Sequence, residues 1–182
     1  MVEPPQAISA LSIGDDAPCI VNAVIEIPKG SATKYEYRED LDRLCIDEGN
    51  RSPLPFPADY GFIPHARSQD GDLLDIFVLG SDPRSTGTVV RVRPIGMLDM
   101  ADDRGQDSKI VGIAVDDEEL HCIADIQDVA DGVRKAIETF LCAYKRQNGG
   151  SLHLQGWHGR ERAHAAITAA HSAYVRMSGT VA

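Results

Sequence analysis

Apolar and polar positions along this chain follow two different periods, and the change falls near residue 125. Before it, short runs rich in β-branched residues are cut by Gly, Pro and Asp. Cys19 to Pro28, Lys34 to Tyr37, Leu44 to Ile46, Ile76 to Leu79, Thr88 to Met97 and Ile110 to Val115 all read as strands. In the first, alternation sets Val21, Ala23, Ile25 and Ile27 on one face and Asn22, Val24 and Glu26 on the other. Glu26 is thus a charged group at the end of an otherwise apolar strand. Lys34 and Glu36 share a face of the second run. Between Pro53 and Pro64 four prolines stiffen what reads as a loop by fixing φ, a rigid way to hold Tyr60. After residue 125, Val129, Val133, Ile137, Phe140, Leu141 and Tyr144 recur at three and four, which predicts an amphipathic helix. Asp128 or Asp131 is placed to cap its start, and Asn148-Gly149-Gly150 ends it. Strand-like Leu152-His153-Leu154 and then Gly156-Trp157 lead into a last helix over roughly 160–176.

Two loops stand out because they carry carboxylates directly before apolar strands. Asp70-Gly71-Asp72-Leu73-Leu74-Asp75 runs into Ile76, and Asp102-Asp103-Arg104-Gly105-Gln106-Asp107-Ser108-Lys109 runs into Ile110. Either can be an ordinary solvated turn, since Asp and Gly are turn residues. Crowded carboxylates, however, repel one another unless a cation neutralises them, and hard divalent ions take oxygen ligands. Two loops of one design in a small chain point to a polynuclear metal site. In a straight strand Asp70 and Asp72 face away from Asp75, so convergence needs a bend, cheapest at Gly71. Asp107 and Lys109 share a face, setting a cation beside a carboxylate able to bind metal. Tyr144-Lys145 falls in the last turn of the first long helix, where a cation is favoured by the helix dipole.

Composition narrows the reading. A chain of 182 residues, 43% hydrophobic and 25% charged, suits one domain, with residues 1–17 as a loosely held arm and 18–182 as the folded unit. No internal repeat or linker divides it. The net charge of −10 disfavours a nucleic-acid or anionic-membrane partner. To act on an anion, such a protein needs its basic groups gathered at one site, or metal ions that reverse the local sign. No apolar run is long enough to span a membrane, and the N-terminus lacks the features of a signal peptide, so a cytoplasmic location is expected. Cys19, Cys45, Cys122 and Cys142 are widely spaced, as expected of buried, reduced thiols. His164 and His171 lie seven apart on one stripe with no acidic partner at ligand spacing, which suits an interface or surface role. Short strands followed by helices predict an α+β fold, a small antiparallel barrel with helices outside.

The candidates together are Glu26, Lys34, Glu36, Tyr60, Asp70, Asp72, Asp75, Asp102, Asp107, Lys109, Tyr144 and Lys145. Carboxylates that hold several Mg²⁺ ions, with lysines and tyrosines that grip phosphoryl oxygens, are what metal-assisted phosphoanhydride hydrolysis requires. At this point the chain resembles the soluble family I inorganic pyrophosphatases of prokaryotic type. The matching segments are Val24 to Pro28, Lys34-Tyr35-Glu36, Tyr60 to Ile63, Asp70 to Asp75, Arg93 to Gly96, Asp102 to Lys109, Tyr144-Lys145 and Gly156-Trp157. The resemblance implies an OB-like five-stranded barrel with flanking C-terminal helices, several Mg²⁺ ions per active site, and hydrolysis of pyrophosphate to two phosphates. It implies that Asp70, Asp75 and Asp107 hold the activating metal, with Asp75 bridging to a second. Asp102 and Asp107 would bind a third, and Glu26 and Glu36 would stand near a fourth. Asp72 would orient or deprotonate the nucleophilic water, with Tyr60 in support. Lys34, Lys109, Tyr144 and Lys145 would bind phosphate, in a homohexamer. The chain departs from the family pattern at Glu48, where an arginine is usual, at Phe56 for a tyrosine, and at His153 for a lysine. Leu73 also stands where the family has proline. Arg51 or Arg43 could supply the cation lost at Glu48. These departures leave open a second reading, a catalytically weakened member that serves as a metal- and phosphate-binding or assembly protein.

Overall fold

The computed structural model describes residues 7–50 and 52–179. Nine strands and two helices form around one barrel. In chain order they are β1 (Val21–Ile27), β2 (Tyr35–Arg38), β3 (Arg43–Ile46), β4 (Asp59–Arg67), β5 (Leu73–Leu79), β6 (Val89–Asp102), β7 (Gly105–Gln106), β8 (Lys109–Ala114), α1 (Asp131–Gln147), β9 (Leu152–Gly159) and α2 (Arg160–Ser178). Strands β1, β4, β5, β8 and β6 pair in that order, and a β1–β6 pairing closes the ring. Four of the five pairings are antiparallel, as expected; β5 and β8 run parallel, with Ile76 opposite Ile110. The five-stranded barrel with two C-terminal helices is therefore mixed rather than wholly antiparallel.

β6 is the element that joins barrel and site. Its first half pairs β1, from Val89 to Val92, and its second half pairs β9 and the short β7. β9 accordingly runs well past the Leu152–Leu154 segment that its sequence suggested. Asp59 to Pro64, read as a stiff loop, is a strand instead. The reason is tertiary pairing with β1 and β5, which overrides the punctuation by Gly61 and Pro64. Pro64 has no N–H to give the ladder, and the β4–β5 register jumps between Ile63 and Arg67, with His65 at φ +55°. Gly61 is required by close approach: a Cβ there would meet the Val24 carbonyl oxygen at 1.8 Å.

The core has two parts. One, inside the barrel, joins Ile25, Ile63, Ile76, Val92 and Ile110 to Ala163, Ile167 and Ala170 of α2. The other packs Phe77, Leu98 and Met100 against Phe56 and against Ile137, Phe140 and Leu141 of α1. Of the stripe its period predicted, Ile137, Phe140 and Leu141 are buried, whereas Val133 is exposed and Val129 precedes the helix. The cap differs from the one expected: Ala130 precedes the helix, Asp131 pairs with Arg134, and Asp128 accepts from the N–H groups of Ala124 and Asp125 to close a single turn upstream.

The stretch expected as a loose arm is tied down where described. Ile13 enters the core, its carbonyl accepts from the Asn22 N–H at 2.7 Å, and Ser9 bonds Asp42 through both backbone and hydroxyl. Residues 1–6 lie outside the described residues. The four cysteines are free, but none is buried: Cys19 and Cys122 are exposed, Cys45 and Cys142 half-buried. Small apolar strands fill the interior, leaving the thiols at its edges. His171 Nδ1 lies 2.8 Å from the His65 carbonyl, while His164 Nε2 is enclosed without a hydrogen-bond partner. No helix among the described residues is long and apolar enough to cross a membrane.

Candidate active site

A cleft of about 480 Å³ opens between the barrel wall, the β2–β3 hairpin and α1. Its described lining carries eight carboxylates against four cations, with no His or Cys. Each side chain arrives by its strand's parity or its helix's last turns. Glu26 is the next-to-last residue of β1, Tyr60 the second of β4, Asp75 stands two residues into β5, Asp102 ends β6, Lys109 starts β8, and Tyr144 and Lys145 lie in the last turn of α1. The acidic loops sit where they do because each lies at the end of an apolar strand that the barrel buries.

Lys109 is the centre of the arrangement. Buried at 5% exposure, its Nζ donates to both Asp75 and Asp107. Burial alone would lower the Lys109 pKa, but the two carboxylates outweigh it and keep the ammonium charged. Lys145 Nζ donates in the same way to Asp102, whose carboxyl burial would raise but this bond lowers. Lys34 Nζ donates to Asp47 at 3.0 Å. On the other wall, burial, aided by the charge of Asp75, pushes the Glu26 carboxyl up to about 8. Glu26 Oε1 still accepts from the Tyr37 N–H at 2.7 Å, which fixes the β2–β3 hairpin against β1. Glu36, exposed on β2, lines the hairpin side. Burial and then the charges of Asp75 and Asp107 hold the Tyr60 phenol well above its ordinary value, so it remains a donor. Its ring packs against Phe77 and Phe56, at 4.8 and 5.4 Å between centroids.

The bend expected at Gly71 is present, at φ +92°. It leaves Asp70 and Asp72 in a turn before β5, with the Asp72 N–H donating to Asp70 Oδ1 at 3.2 Å. Asp72 lines the cleft; Asp70 is exposed beside it and is not part of the wall. Burial, then the neighbouring charge of Asp70, raises the Asp72 pKa, and Arg104 opposes the shift. The structure thus gathers Glu26, Lys34, Glu36, Tyr60, Asp72, Asp75, Asp102, Asp107, Lys109, Tyr144 and Lys145 around one cleft. Arg51 lies outside the described residues. Arg43 is exposed on β3 opposite Arg38 and lines no part of the cleft. Glu48 is likewise exposed and away from the wall, and so is His153. Phe56 is buried against Phe140 at 4.3 Å and gives the cleft an apolar floor.

Sequence reasoning passed over two contributors. Asp47 accepts from Lys34, the Asn50 amide and two backbone N–H groups, so it positions the Lys34 ammonium at the cleft. The hairpin register, with Tyr35 opposite Ile46, makes Lys34 and Asp47 the next cross-strand pair, a match that spacing along the chain does not reveal. Arg104 was visible within the acidic loop but was masked by the carboxylates around it.

The donor chemistry fits hard divalent cations. Oxygen donors surround the cleft, thiolate and imidazole are absent from its described lining, and anionic groups outnumber cations two to one. Among the described residues no group of three acidic, His or Cys side chains is arranged to hold an ion; Lys109 bridges Asp75 and Asp107, and Lys145 pairs with Asp102. Asp75, Asp102 and Asp107, with Glu26 and Glu36, are the residues able to take that role.

Comparison with known proteins agrees with this chemistry. The family model described as inorganic pyrophosphatase matches residues 23–175. An inorganic pyrophosphatase from Thermus thermophilus is 41% identical over 159 residues, covering 86% of this chain and 91% of that protein. One from Saccharolobus solfataricus is 37% identical, covering 81% and 87%. Among solved structures, the Thermus thermophilus inorganic pyrophosphatase superposes with a TM-score of 0.88 at 39% identity, covering 93% of this chain and 99% of that one. A Neisseria gonorrhoeae inorganic pyrophosphatase gives 0.85 at 30% identity, covering 93% and 99%. With fold, ordered motifs and cleft in agreement, the chain belongs to the inorganic pyrophosphatase family.

Proposed function

We propose that this protein hydrolyses inorganic pyrophosphate to two phosphates, using Mg²⁺ and the cleft between barrel and α1. The observation that carries the reading is the meeting, in one cleft, of carboxylates and lysines from five separated sequence segments, with Tyr60 from a sixth. Mg²⁺, when bound by Asp75, Asp102 and Asp107, with Glu26, Glu36 and the adjacent Asp70, supplies charge neutralisation and activates water for attack. The chain's own groups divide the remaining work. Lys34, Lys109, Tyr144 and Lys145 surround the space where phosphoryl oxygens would lie and offset the charge that builds on the leaving phosphate. Lys34 is held for this by Asp47. Asp72, at the solvent side with a raised pKa, accepts the proton of the attacking water at Oδ. Tyr60 keeps its proton and donates toward the nucleophile side. Arg51 is a further candidate for the substrate. A cytoplasmic homohexamer is the matching expectation for the whole assembly.

The test is phosphate release from pyrophosphate with Mg²⁺, with and without a chelator. Rapid release that a chelator abolishes and added Mg²⁺ restores supports the reading. Release that is unaffected by the chelator contradicts the metal assignment, and absence of release contradicts the activity.

A further inference from the structure

We infer that Arg104 is the arm that clamps the substrate's phosphoryl group over Asp72, and so determines affinity for pyrophosphate in this chain. This rests on the pyrophosphatase reading above. Of the four cations in the described cleft wall, three are already engaged: Lys34 with Asp47, Lys145 with Asp102, and Lys109 with Asp75 and Asp107. Arg104 differs. Its side chain is 66% exposed, and its Nη1 lies 3.5 Å from Asp72 Oδ2, a long ion pair with both partners open to solvent. At that exposure the contact holds little energy, so the guanidinium can leave Asp72 for an incoming anion at small cost. Its backbone, by contrast, is fixed. The Arg104 N–H donates to Asp102 Oδ1 at 2.8 Å, and the preceding Asp103 accepts from the Ser151 N–H at 2.9 Å and from its hydroxyl at 2.5 Å. A pinned turn that presents a loosely engaged guanidinium is a pre-organised anion grip, and the guanidinium fork matches two phosphoryl oxygens at once.

The placement also answers the charge problem at Glu48. That side chain is exposed outside the cleft wall, and Arg43 is outside it too, so neither element of β3 or its following turn brings a cation to the described site. Arg104 reaches the cleft from the opposite side, on the β6–β7 turn.

The test compares wild type with Arg104→Gln, Arg104→Lys and a remote control, Arg91→Gln, a surface arginine paired with Asp16. Binding of imidodiphosphate, a non-hydrolysable pyrophosphate with a bridging nitrogen, is measured by calorimetry with Mg²⁺, alongside KM and kcat for pyrophosphate. Arg104→Gln is expected to weaken imidodiphosphate binding and raise KM by about 10- to 100-fold. Arg104→Lys, which keeps charge but loses the fork, falls between, and Arg91→Gln matches wild type. Circular dichroism confirms that this exposed substitution leaves the fold intact. Wild-type binding that Arg104→Gln leaves unchanged overturns the Arg104 assignment alone. A fall in kcat with binding and KM unchanged also overturns it, because it shows an effect through Asp72 only. Absence of both binding and hydrolysis in the wild type overturns the pyrophosphatase reading and this inference with it.

Discussion

At the residue scale, the site is a set of lysines each neutralised by a carboxylate, and single pairs carry distinct work. Asp47 is the plainest case. Burial would raise its carboxyl, but hydrogen bonds from Asn50 and Lys34 bring it down to about 2 from an ordinary 3.8. The folded form therefore binds this proton more weakly than the unfolded chain does. Its stabilising contribution is complete above about 3.8 and is lost as pH falls through about 2. Asp47→Asn is expected to be less stable than wild type at pH 7, with the gap closing between pH 4 and pH 2. Urea unfolding at a series of pH values measures it; a gap independent of pH would contradict the assignment. The same residue shows what the sequence conceals. Asp70, Asp72, Asp75, Asp102 and Asp107 are legible as candidates because they crowd two Gly-containing stretches directly before apolar runs. Asp47 is not, since its partner is set by a hairpin register and not by spacing along the chain.

At the scale of elements, strands with β-branched runs announce themselves, and those defined by their neighbours do not. β1, β6 and β8 are dense in Val and Ile and were readable. β4 was not, because Gly61 and Pro64 look like turn signals, although Gly61 is there to let β1 approach. The parallel β5–β8 pairing has no local signature either; it follows from β6 passing between them in sequence and returning antiparallel to β8. Gly61→Ala puts a methyl group 1.8 Å from the Val24 carbonyl oxygen, on backbone that also carries Tyr60 and, two residues from Val24, Glu26. The expected cost is about 3 kcal/mol, from overpacking a barrel seam, with activity falling in the surviving folded fraction. Chemical unfolding and phosphate release on the same preparation check this, and a stable, fully active Gly61→Ala would contradict the close packing of β1 on β4.

At the scale of the whole molecule, an acidic protein confronts an anionic substrate. With a net charge of −10 and a cleft rich in carboxylates, the protein cannot attract pyrophosphate by its overall field. Sign reversal has to be local, and the proposed means are hard cations at the carboxylates and Lys34, Lys109, Lys145 and Arg104 at the substrate. The barrel makes this possible by bringing the two acidic loops, Asp70 to Asp75 and Asp102 to Lys109, to one cleft that α1 closes. Asp72 is the proposed proton acceptor in this scheme, since it lines the cleft with an exposed side chain and pairs only loosely with Arg104. The most direct measurement is therefore the rate of phosphate release from magnesium pyrophosphate by wild type and Asp72→Asn, side by side at neutral pH. The account predicts a fall in kcat of about 10²- to 10⁴-fold, with imidodiphosphate still bound. An Asp72→Asn protein that releases phosphate at the wild-type rate would contradict it.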